Sequence, residues 1–180
     1  MMVLDAQKGE EQKAKITREL ESVGIRLNKV KPNINIKVMK TGGIIFNASC
    51  KLTKIDEKMV RNIMAEYKMH NAHVNFRDDY DVDDLIDVIE GTRKYVKCLY
   101  VYNKIDTISI EDVDKLMSVN YNVAISVHMN LGIDVLLERI WDMLGLVRIY
   151  TKKKGHQPDF SDPLILTTGR DGITVKSAIV

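Results

Sequence analysis

An apolar run at residues 98–102 leads directly into the tetrapeptide Asn-Lys-Ile-Asp at residues 103–106. A short apolar run bounded by polar turn residues predicts a buried strand. Ser109 and Asp112 predict a capped helix that begins at residue 110. Strand, polar turn and helix in this order are typical of an open α/β sheet, in which ligands bind at the carboxyl ends of the strands. We therefore predict an α/β sheet here, with the tetrapeptide on its binding rim.

The side chains of this tetrapeptide suit a guanine base. The carboxylate of Asp106 can accept hydrogen bonds from the ring N1–H and the exocyclic amine of guanine, whereas adenine presents an acceptor at the matching place. A buried acceptor that the wrong ligand leaves unpaired can discriminate by about 10⁴-fold or more. Asn103 is expected to hold the loop and to donate toward the base, and the aliphatic stem of Lys104 to cover the base plane. The alternative is an ordinary strand-ending turn, in which Asn and Asp are favoured.

A second candidate loop follows along the chain at residues 126–128. Residues 122–126 form a short apolar pattern that predicts a buried strand. The backbone of Ser126 and Val127 would then present an N–H to the guanine carbonyl, and the alternative is an ordinary strand followed by a loop. With Asn103, Lys104 and Asp106, these two residues complete the predicted guanine-binding set.

The phosphate-binding part of a nucleotide site has no counterpart in this sequence. It contains no Gly-x-x-x-x-Gly-Lys-Ser/Thr loop, whose backbone N–H groups and lysine hold the β- and γ-phosphates. We therefore predict base recognition without micromolar GTP affinity, and we assign no catalytic residue. His70 and His73 span a turn, and the acidic stretch 79–83 is followed by Asp84 where a calcium loop requires glycine. No metal ligand is predicted.

The composition fits a protein of the reducing cytoplasm. With 180 residues, 45% of them hydrophobic, the chain can bury a substantial core, and its net charge of +2 does not demand a nucleic-acid partner. Cys50 and Cys98 lie in apolar runs without metal-ligand spacing. No apolar stretch approaches the roughly 18 residues of a membrane span. We predict a cytoplasmic location and no membrane partner.

The hydrophobic pattern divides the chain into an α/β framework and an insert. Residues 1–29 are the first framework piece, with a strand at 2–5 and an amphipathic helix at 7–23 whose inner face is expected to contain Ile16, Leu20 and Val23. Residues 30–96 are predicted to form a β-β-α-β-α insert. Its elements are a hairpin of strands 34–38 and 44–52, a helix from the cap Asp56 to Tyr67, a strand at 72–76 and a helix from the cap Asp81 to Gly91.

The framework resumes at residues 97–146 and ends in the helix with the clearest pattern. That helix is predicted at 133–144, with a broad apolar face formed by Leu136, Leu137, Ile140, Trp141 and Leu144. Residues 142–145 match Asp-x-x-Gly in letters, but we interpret them as the helix terminus.

The remaining residues, 147–180, are predicted to begin a separate domain. A strand is expected at 147–150 and a further element at 164–166. Between them, Lys152, Lys153 and Lys154 are candidates for contact with RNA phosphates, and a solvated linker is the alternative. Both ends of the chain resemble cut ends, so we expect part of the protein to lie outside it.

Four further segments carry a resemblance to a known family. Residues 21–28 read Glu-Ser-Val-Gly-Ile-Arg-Leu-Asn, residues 65–68 Ala-Glu-Tyr-Lys, residues 84–91 Asp-Leu-Ile-Asp-Val-Ile-Glu-Gly, and residues 149–152 Ile-Tyr-Thr-Lys. With the tetrapeptide at 103–106, they make the whole chain similar to the developmentally regulated GTP-binding proteins. That family is a branch of the Obg-like GTPases found on ribosomes.

The resemblance implies a fold and a set of ligands. It implies a partial P-loop-type G domain, a parallel sheet with flanking helices, interrupted by a small α+β insert that resembles a ribosomal protein. Residues 147–180 would be a truncated TGS domain, a β-grasp unit linked to RNA. In intact family members the cofactors would be GTP and Mg²⁺. The phosphate loop, the switch threonine and the Asp-x-x-Gly switch are expected upstream of Met1, so this chain is predicted to be inactive alone as a GTPase.

The resemblance also implies partners. Guanine nucleotide is the expected small-molecule partner, the ribosome or RNA is the expected assembly, and intact members are expected to bind a zinc-finger regulatory protein. The alternative function is a non-enzymatic module that docks on a ribosome, RNA or partner protein through the insert and the basic segment.

Overall fold

The computed structural model describes residues 1–168 and 173–174, which form two compact units. The first unit contains residues 1–16 and the chain from residue 97 onward, and the second contains residues 17–96. In chain order the elements are β1 (Met2–Asp5), α1 (Gly9–Ser22), β2 (Ile25–Leu27), β3 (Ile34–Val38), β4 (Ile44–Ala48), α2 (Glu57–Glu66), β5 (Ala72–Phe76), α3 (Val82–Glu90), β6 (Lys94–Val96), β7 (Tyr100–Asn103), α4 (Ile110–Met117), β8 (Asn122–Ala124), α5 (Ile133–Leu144), β9 (Leu146–Ile149) and β10 (Leu164–Thr167).

The first unit is built on a parallel sheet with the strand order β1-β7-β8. Its core contains the buried residues Leu99, Val101, Val123 and Ile125, which lie in or directly beside β7 and β8. Successive residues of β7, Val101 and Tyr102, are both fully buried, so the two faces of this strand are covered, as is usual in parallel sheets. The predicted strand and capped helix around the tetrapeptide are confirmed, since Ser109 accepts a hydrogen bond from the Asp112 N–H at the start of α4.

Helix α5 packs on this core, but its buried apolar face is narrower than the face predicted from the sequence. Its bounds are those predicted, and Gly145 ends it in the left-handed conformation, which confirms residues 142–145 as a helix terminus. The residues that pack on the core are Ile133, Leu136, Ile140 and Met143. The predicted broad face was wrong at Leu137 and Leu144, which are 60% and 58% exposed. Periodicity shows that a helix has an apolar side but not how much of it finds a partner.

The second unit contains a mixed sheet that corrects the predicted hairpin. The order is β3-β5-β4, with β3 antiparallel and β4 parallel to β5, so β3 and β4 are not neighbours. Strand β5 lies in the centre, and its residues Ala72, Val74 and Phe76 are all fully buried. Strand β4 ends at Ala48, four residues before the predicted end.

The helices of this unit follow the predicted caps. Asp56 accepts from the Met59 N–H at the start of α2, and Asp81 forms a capping box with Asp84 at the start of α3. Gly91 ends α3 with a positive φ of 65°. Val60, Ile63 and Met64 of α2 and Leu85 of α3 pack with one face of the sheet.

Two short parallel strands, β2 and β6, pair in the same unit. Asp87 of α3 connects them: its carboxylate accepts from Arg26 on β2 at 2.7 Å twice, and from Arg93, just before β6, at 3.0 Å. The unit therefore starts upstream of residue 30 and includes the last part of α1. Helix α1 is shorter than predicted at both ends, and Val23, expected on its inner face, is 76% exposed.

After α5 the chain forms the antiparallel pair β9 and β10. The proposed TGS region, residues 147–180, extends past this pair, and its residues 169–172 and 175–180 lie outside the described residues. Within residues 1–168 and 173–174, no helix combines the length and the apolar character needed to cross a membrane.

Candidate nucleotide site

The loops after β7 and β8 meet at the same edge of the first unit's sheet. The two strands are parallel with Tyr102 opposite Ala124, so their carboxyl ends coincide. The backbone contact continues past the strands, because Ile125 N–H donates to Tyr102 at 2.8 Å and Ile105 N–H donates to Ile125 at 3.2 Å. The tetrapeptide and the second loop are therefore held side by side by the sheet itself.

Asn103 connects the two loops through its side chain. Its Oδ1 accepts from the Lys104 N–H at 2.8 Å and from the Val127 N–H at 3.2 Å. A single amide oxygen thus spans both predicted segments. Its amide nitrogen is the part of the side chain that can donate to a ligand.

Asp106 lies in a short 3-10 turn, Ile105–Thr107, and is exposed to solvent. Its Oδ1 accepts from the Ser126 hydroxyl at 2.5 Å. This hydrogen bond from Ser126 is the main cause that holds the pKa of the Asp106 carboxyl below its ordinary value, with a smaller contribution from the charge of Lys104. The carboxylate is therefore ionised at neutral pH and acts only as an acceptor.

Ser126 is fully buried and holds the second loop in a closed turn. Its Oγ also accepts from the Met129 N–H at 3.2 Å, and its backbone pairs with Leu131 through two hydrogen bonds. Gly132 follows with φ of 70°, and a Cβ added there would lie 2.5 Å from the carbonyl oxygen of Ala124. Glycine is required at this position because the turn returns so closely onto β8.

Val127 differs from its predicted role in one respect. Its N–H, expected to face the guanine carbonyl, donates to Asn103 at 3.2 Å. A base that approaches this N–H has to share or displace that hydrogen bond. The Val127 side chain is 61% exposed and so does not fill the protein core.

Lys104 and a residue missed by the sequence analysis, Asp5, form an ion pair at this edge. The distance from Lys104 Nζ to Asp5 Oδ2 is 2.8 Å. Asp5 is the last residue of β1 and lies opposite Asn103 in the pairing of β1 with β7. Its position at the carboxyl end of a parallel strand was the signal that could have identified it.

The other candidates do not join this site. Lys152, Lys153 and Lys154 are exposed in the segment between β9 and β10, and among the described residues no hydrogen bond or ion pair links them to the two loops. The side-chain nitrogens of His73 and Asn47 lie 2.8 Å apart. In the part of the chain that the structure describes, no group of three His, Cys, Asp or Glu residues could hold a metal ion.

The fold and the paired loops define a class: α/β proteins that present an Asn-Lys-x-Asp turn at the carboxyl edge of a parallel sheet. Residues 41–146 match the family model described as the C-terminal region of the MMR_HSR1 domain.

Similar proteins narrow the class to one family. The chain is 54% identical over 176 residues to Developmentally-regulated G-protein 1 of Arabidopsis thaliana, which covers 98% of this chain and 44% of that protein. It is 55% identical over 169 residues to human Developmentally-regulated GTP-binding protein 2, with 94% and 46% covered. GTP-binding protein 1 of Schizosaccharomyces pombe is 52% identical over 169 residues, with 94% and 47% covered. The chain belongs to the developmentally regulated GTP-binding protein family, and it spans about half the length of the curated relatives it matches.

Proposed function

We propose that this chain supplies the guanine-recognition part of a GTP-binding protein. The observation that carries the proposal is the link from Ser126 to Asp106, which fixes an ionised, exposed carboxylate between the two loops. A carboxylate in this state can accept from the N1–H and the amine of guanine, and it repels the acceptor that adenine would present. Asn103 holds both loops and offers its amide nitrogen to the base, while the Val127 N–H can donate to the base only by sharing or displacing its hydrogen bond to Asn103.

The base contacts alone predict weak binding. Guanine has about 11 heavy atoms, and at roughly 0.3 to 0.4 kcal/mol per atom they contribute about 3 to 5 kcal/mol, a dissociation constant near millimolar. The described residues contain no phosphate-holding loop, so we propose no micromolar GTP affinity for this chain. Mg²⁺ bridges nucleotide phosphates in GTPases. The described residues contain no group of three His, Cys, Asp or Glu residues that could hold a metal ion, and we propose GTP with Mg²⁺ for the intact family members.

The wider assignment is also a proposal. Two of these relatives are named GTP-binding proteins and the third a G-protein, and we propose that the longer protein is a cytoplasmic GTPase of the Obg-like, translation-associated class. In that proposal residues 30–96 are the inserted module, and β9 and β10 begin a TGS domain. A zinc-finger regulatory partner stays an expectation from the resemblance, since no surface in the described residues is assigned to it.

A second candidate function is docking on a ribosome or RNA. The observation that favours it is the exposed basic segment Lys152, Lys153 and Lys154 between β9 and β10. Salt-sensitive co-sedimentation with ribosomes that does not depend on nucleotide, and that is reduced when the three lysines are changed to alanine, would support this function. Co-sedimentation of the triple variant at the wild-type level would contradict it.

Asp106→Asn tests the guanine site. An asparagine amide can donate to the 2-oxo group of xanthine, so we expect the variant to lose guanosine binding and gain xanthosine binding. Nucleosides are titrated into isotope-labelled protein at millimolar concentration and followed by NMR. Asp114→Asn is the matched control because it makes the same charge change on the exposed part of α4. Unchanged guanosine preference in Asp106→Asn, or equal effects of the two substitutions, would count against the assignment.

A further inference from the structure

The carboxylate of Asp5 is held at both oxygens. Its Oδ1 accepts from the Gln7 N–H at 3.0 Å, and its Oδ2 accepts from Lys104 Nζ at 2.8 Å. The Asp5 backbone N–H donates to the Gln12 side chain of α1 at 3.1 Å. The contacts with Gln7 and Gln12 orient Asp5 without Lys104. Formation of the ion pair therefore orders only one flexible side chain, that of Lys104. That lowers the entropy cost which usually cancels exposed ion pairs.

Lys104 has a backbone conformation that needs such support. Its φ and ψ are 65° and 39°, in the left-handed region that side-chain-bearing residues rarely adopt. Such a conformation persists where the surroundings hold it from several sides. Here Asn103 accepts from the Lys104 N–H, the Thr107 hydroxyl donates to the Lys104 carbonyl at 2.8 Å, and Asp5 holds the ammonium group.

A third loop thus joins the two that the sequence identified. The Ala6 N–H donates to the Asn103 carbonyl at 2.9 Å, so the chain after β1 follows the start of the tetrapeptide. The pKa shifts of Asp5 and Lys104 are both those expected for an ion pair. The hydrogen bond from Lys104 lowers the pKa of Asp5, and the hydrogen bond to Asp5 raises the pKa of Lys104.

We propose that Asp5 is a positioning residue of the guanine site: by holding the Lys104 ammonium group, it sets the direction of the lysine stem and stabilises the left-handed turn that presents Asp106. The inference rests on the proposed function, and it adds a residue that lies 99 positions from its partner in the sequence. Asp5 acts on the ligand through Lys104 and does not itself contact the base.

The competing interpretation is a surface ion pair without consequence for binding. The side chains are 61% exposed for Lys104 and 28% for Asp5, and exposed pairs typically change an equilibrium by only about 1.4- to 5-fold. The expected effect on guanosine affinity therefore lies at about 2- to 5-fold. A double-mutant cycle can resolve an effect of this size.

The test uses the neutral nucleoside guanosine, so that no phosphate charge contributes. Guanosine dissociation constants are measured by NMR for the wild-type chain, Asp5→Asn, Lys104→Met and the double variant, with Asp114→Asn as control. We expect about 2- to 5-fold weaker binding in each single variant, no further loss in the double variant, and wild-type affinity in the control. Added salt should weaken wild-type binding and leave Asp5→Asn unchanged.

A second measurement shows whether the ion pair between Asp5 and Lys104 forms, independently of whether it affects guanosine binding. The pKa of Lys104, followed through its side-chain carbon signals, should fall in Asp5→Asn. If it falls while guanosine binding stays at the level of the control, the ion pair exists but the positioning role is overturned. Additive losses in the double variant would overturn it too. If the wild-type chain shows no guanosine binding that depends on Asp106, the guanine site itself fails, and this inference fails with it.

Discussion

Replacing Asp87 by asparagine is expected to be among the most damaging polar substitutions in the second unit. The Asp87 side chain is 4% exposed, and its carboxylate accepts two hydrogen bonds from Arg26 and one from Arg93. Burial opposes ionisation, but the hydrogen bonds from Arg26 and Arg93 outweigh it and hold the pKa of Asp87 below its ordinary value. The variant leaves Arg26, itself only 13% exposed, without its counter-charge.

The expected loss of folding stability in Asp87→Asn follows from two opposing contributions. Three hydrogen bonds between charged groups would contribute about 1.5 to 3 kcal/mol each. The desolvation of a buried carboxylate cancels several kcal/mol of that sum. Removing one partner of a buried pair typically costs about 3 to 5 kcal/mol, because the other charge stays buried and unpaired. We expect Asp87→Asn to lie in this range.

The assay is hydrogen exchange at the amides of β5, which report on the opening of the second unit. Asp83→Asn, on the exposed first turn of the same helix, is the matched control and should cost less than about 1 kcal/mol. A double change of Arg26→Met and Asp87→Leu should recover much of the loss, because Arg26 is removed together with its counter-charge and Arg93 keeps its ion pair with Glu90 at 2.7 Å. If Asp87→Asn costs no more than Asp83→Asn, the ion pair only balances its own desolvation and the reasoning is wrong.

The lowered pKa of Asp87 also predicts how the stability of the second unit changes with pH. Because the folded pKa of Asp87 lies below the unfolded value, its contribution is fully present at neutral pH. It is lost as the pH falls from about 4 through the folded pKa. In Asp87→Asn this part of the acid destabilisation should be absent.

Two further substitutions test the loop after β8. Ser126→Ala removes the donor to Asp106, so the pKa of Asp106 should rise toward its ordinary value in an NMR titration. The control Ser118→Ala, at the residue that follows α4, should leave the pKa of Asp106 unchanged. If the pKa does not rise in Ser126→Ala, another group sets it. Gly132→Ala should destabilise the first unit by about 2 to 4 kcal/mol in urea unfolding, since it combines a left-handed backbone with a clash against Ala124. Gly155→Ala has a positive φ but open space around it, so it should cost only about 1 to 2 kcal/mol, and an equal cost at both glycines would refute the clash.

Local chemistry explains why much of the secondary structure could be predicted. Asp56, Asp81 and Ser109 cap the helices that follow them, and each acts on an N–H only a few residues away. The turn at the tetrapeptide 103–106 forms at the end of its strand for the same reason, although Asn103 is still part of β7 and the predicted strand stopped at residue 102. A cap or a strand-ending turn depends on neighbours in the chain, which a sequence displays directly.

Strand order could not be predicted in the same way. The alternating residues of β3 and β4 suggested a hairpin, yet both pair with β5, which lies further along the chain. Periodicity alone is compatible with any of the three strands at the centre of the sheet. The strand found there, β5, has the most completely buried apolar face, and residues of helices α2 and α3 pack against that face.

The sequence by itself determined which residues we propose for guanine recognition: Asn103, Lys104 and Asp106, with the segment at Ser126 and Val127. Only the tertiary structure decided how they are held. Ser126 reaches Asp106 across 20 residues, and Lys104 reaches Asp5 across 99. In the second unit, Arg26 likewise reaches Asp87 across 61 residues. Contacts over such separations depend on parallel strands that end at one edge and on a folded core, and no local pattern of residues encodes them.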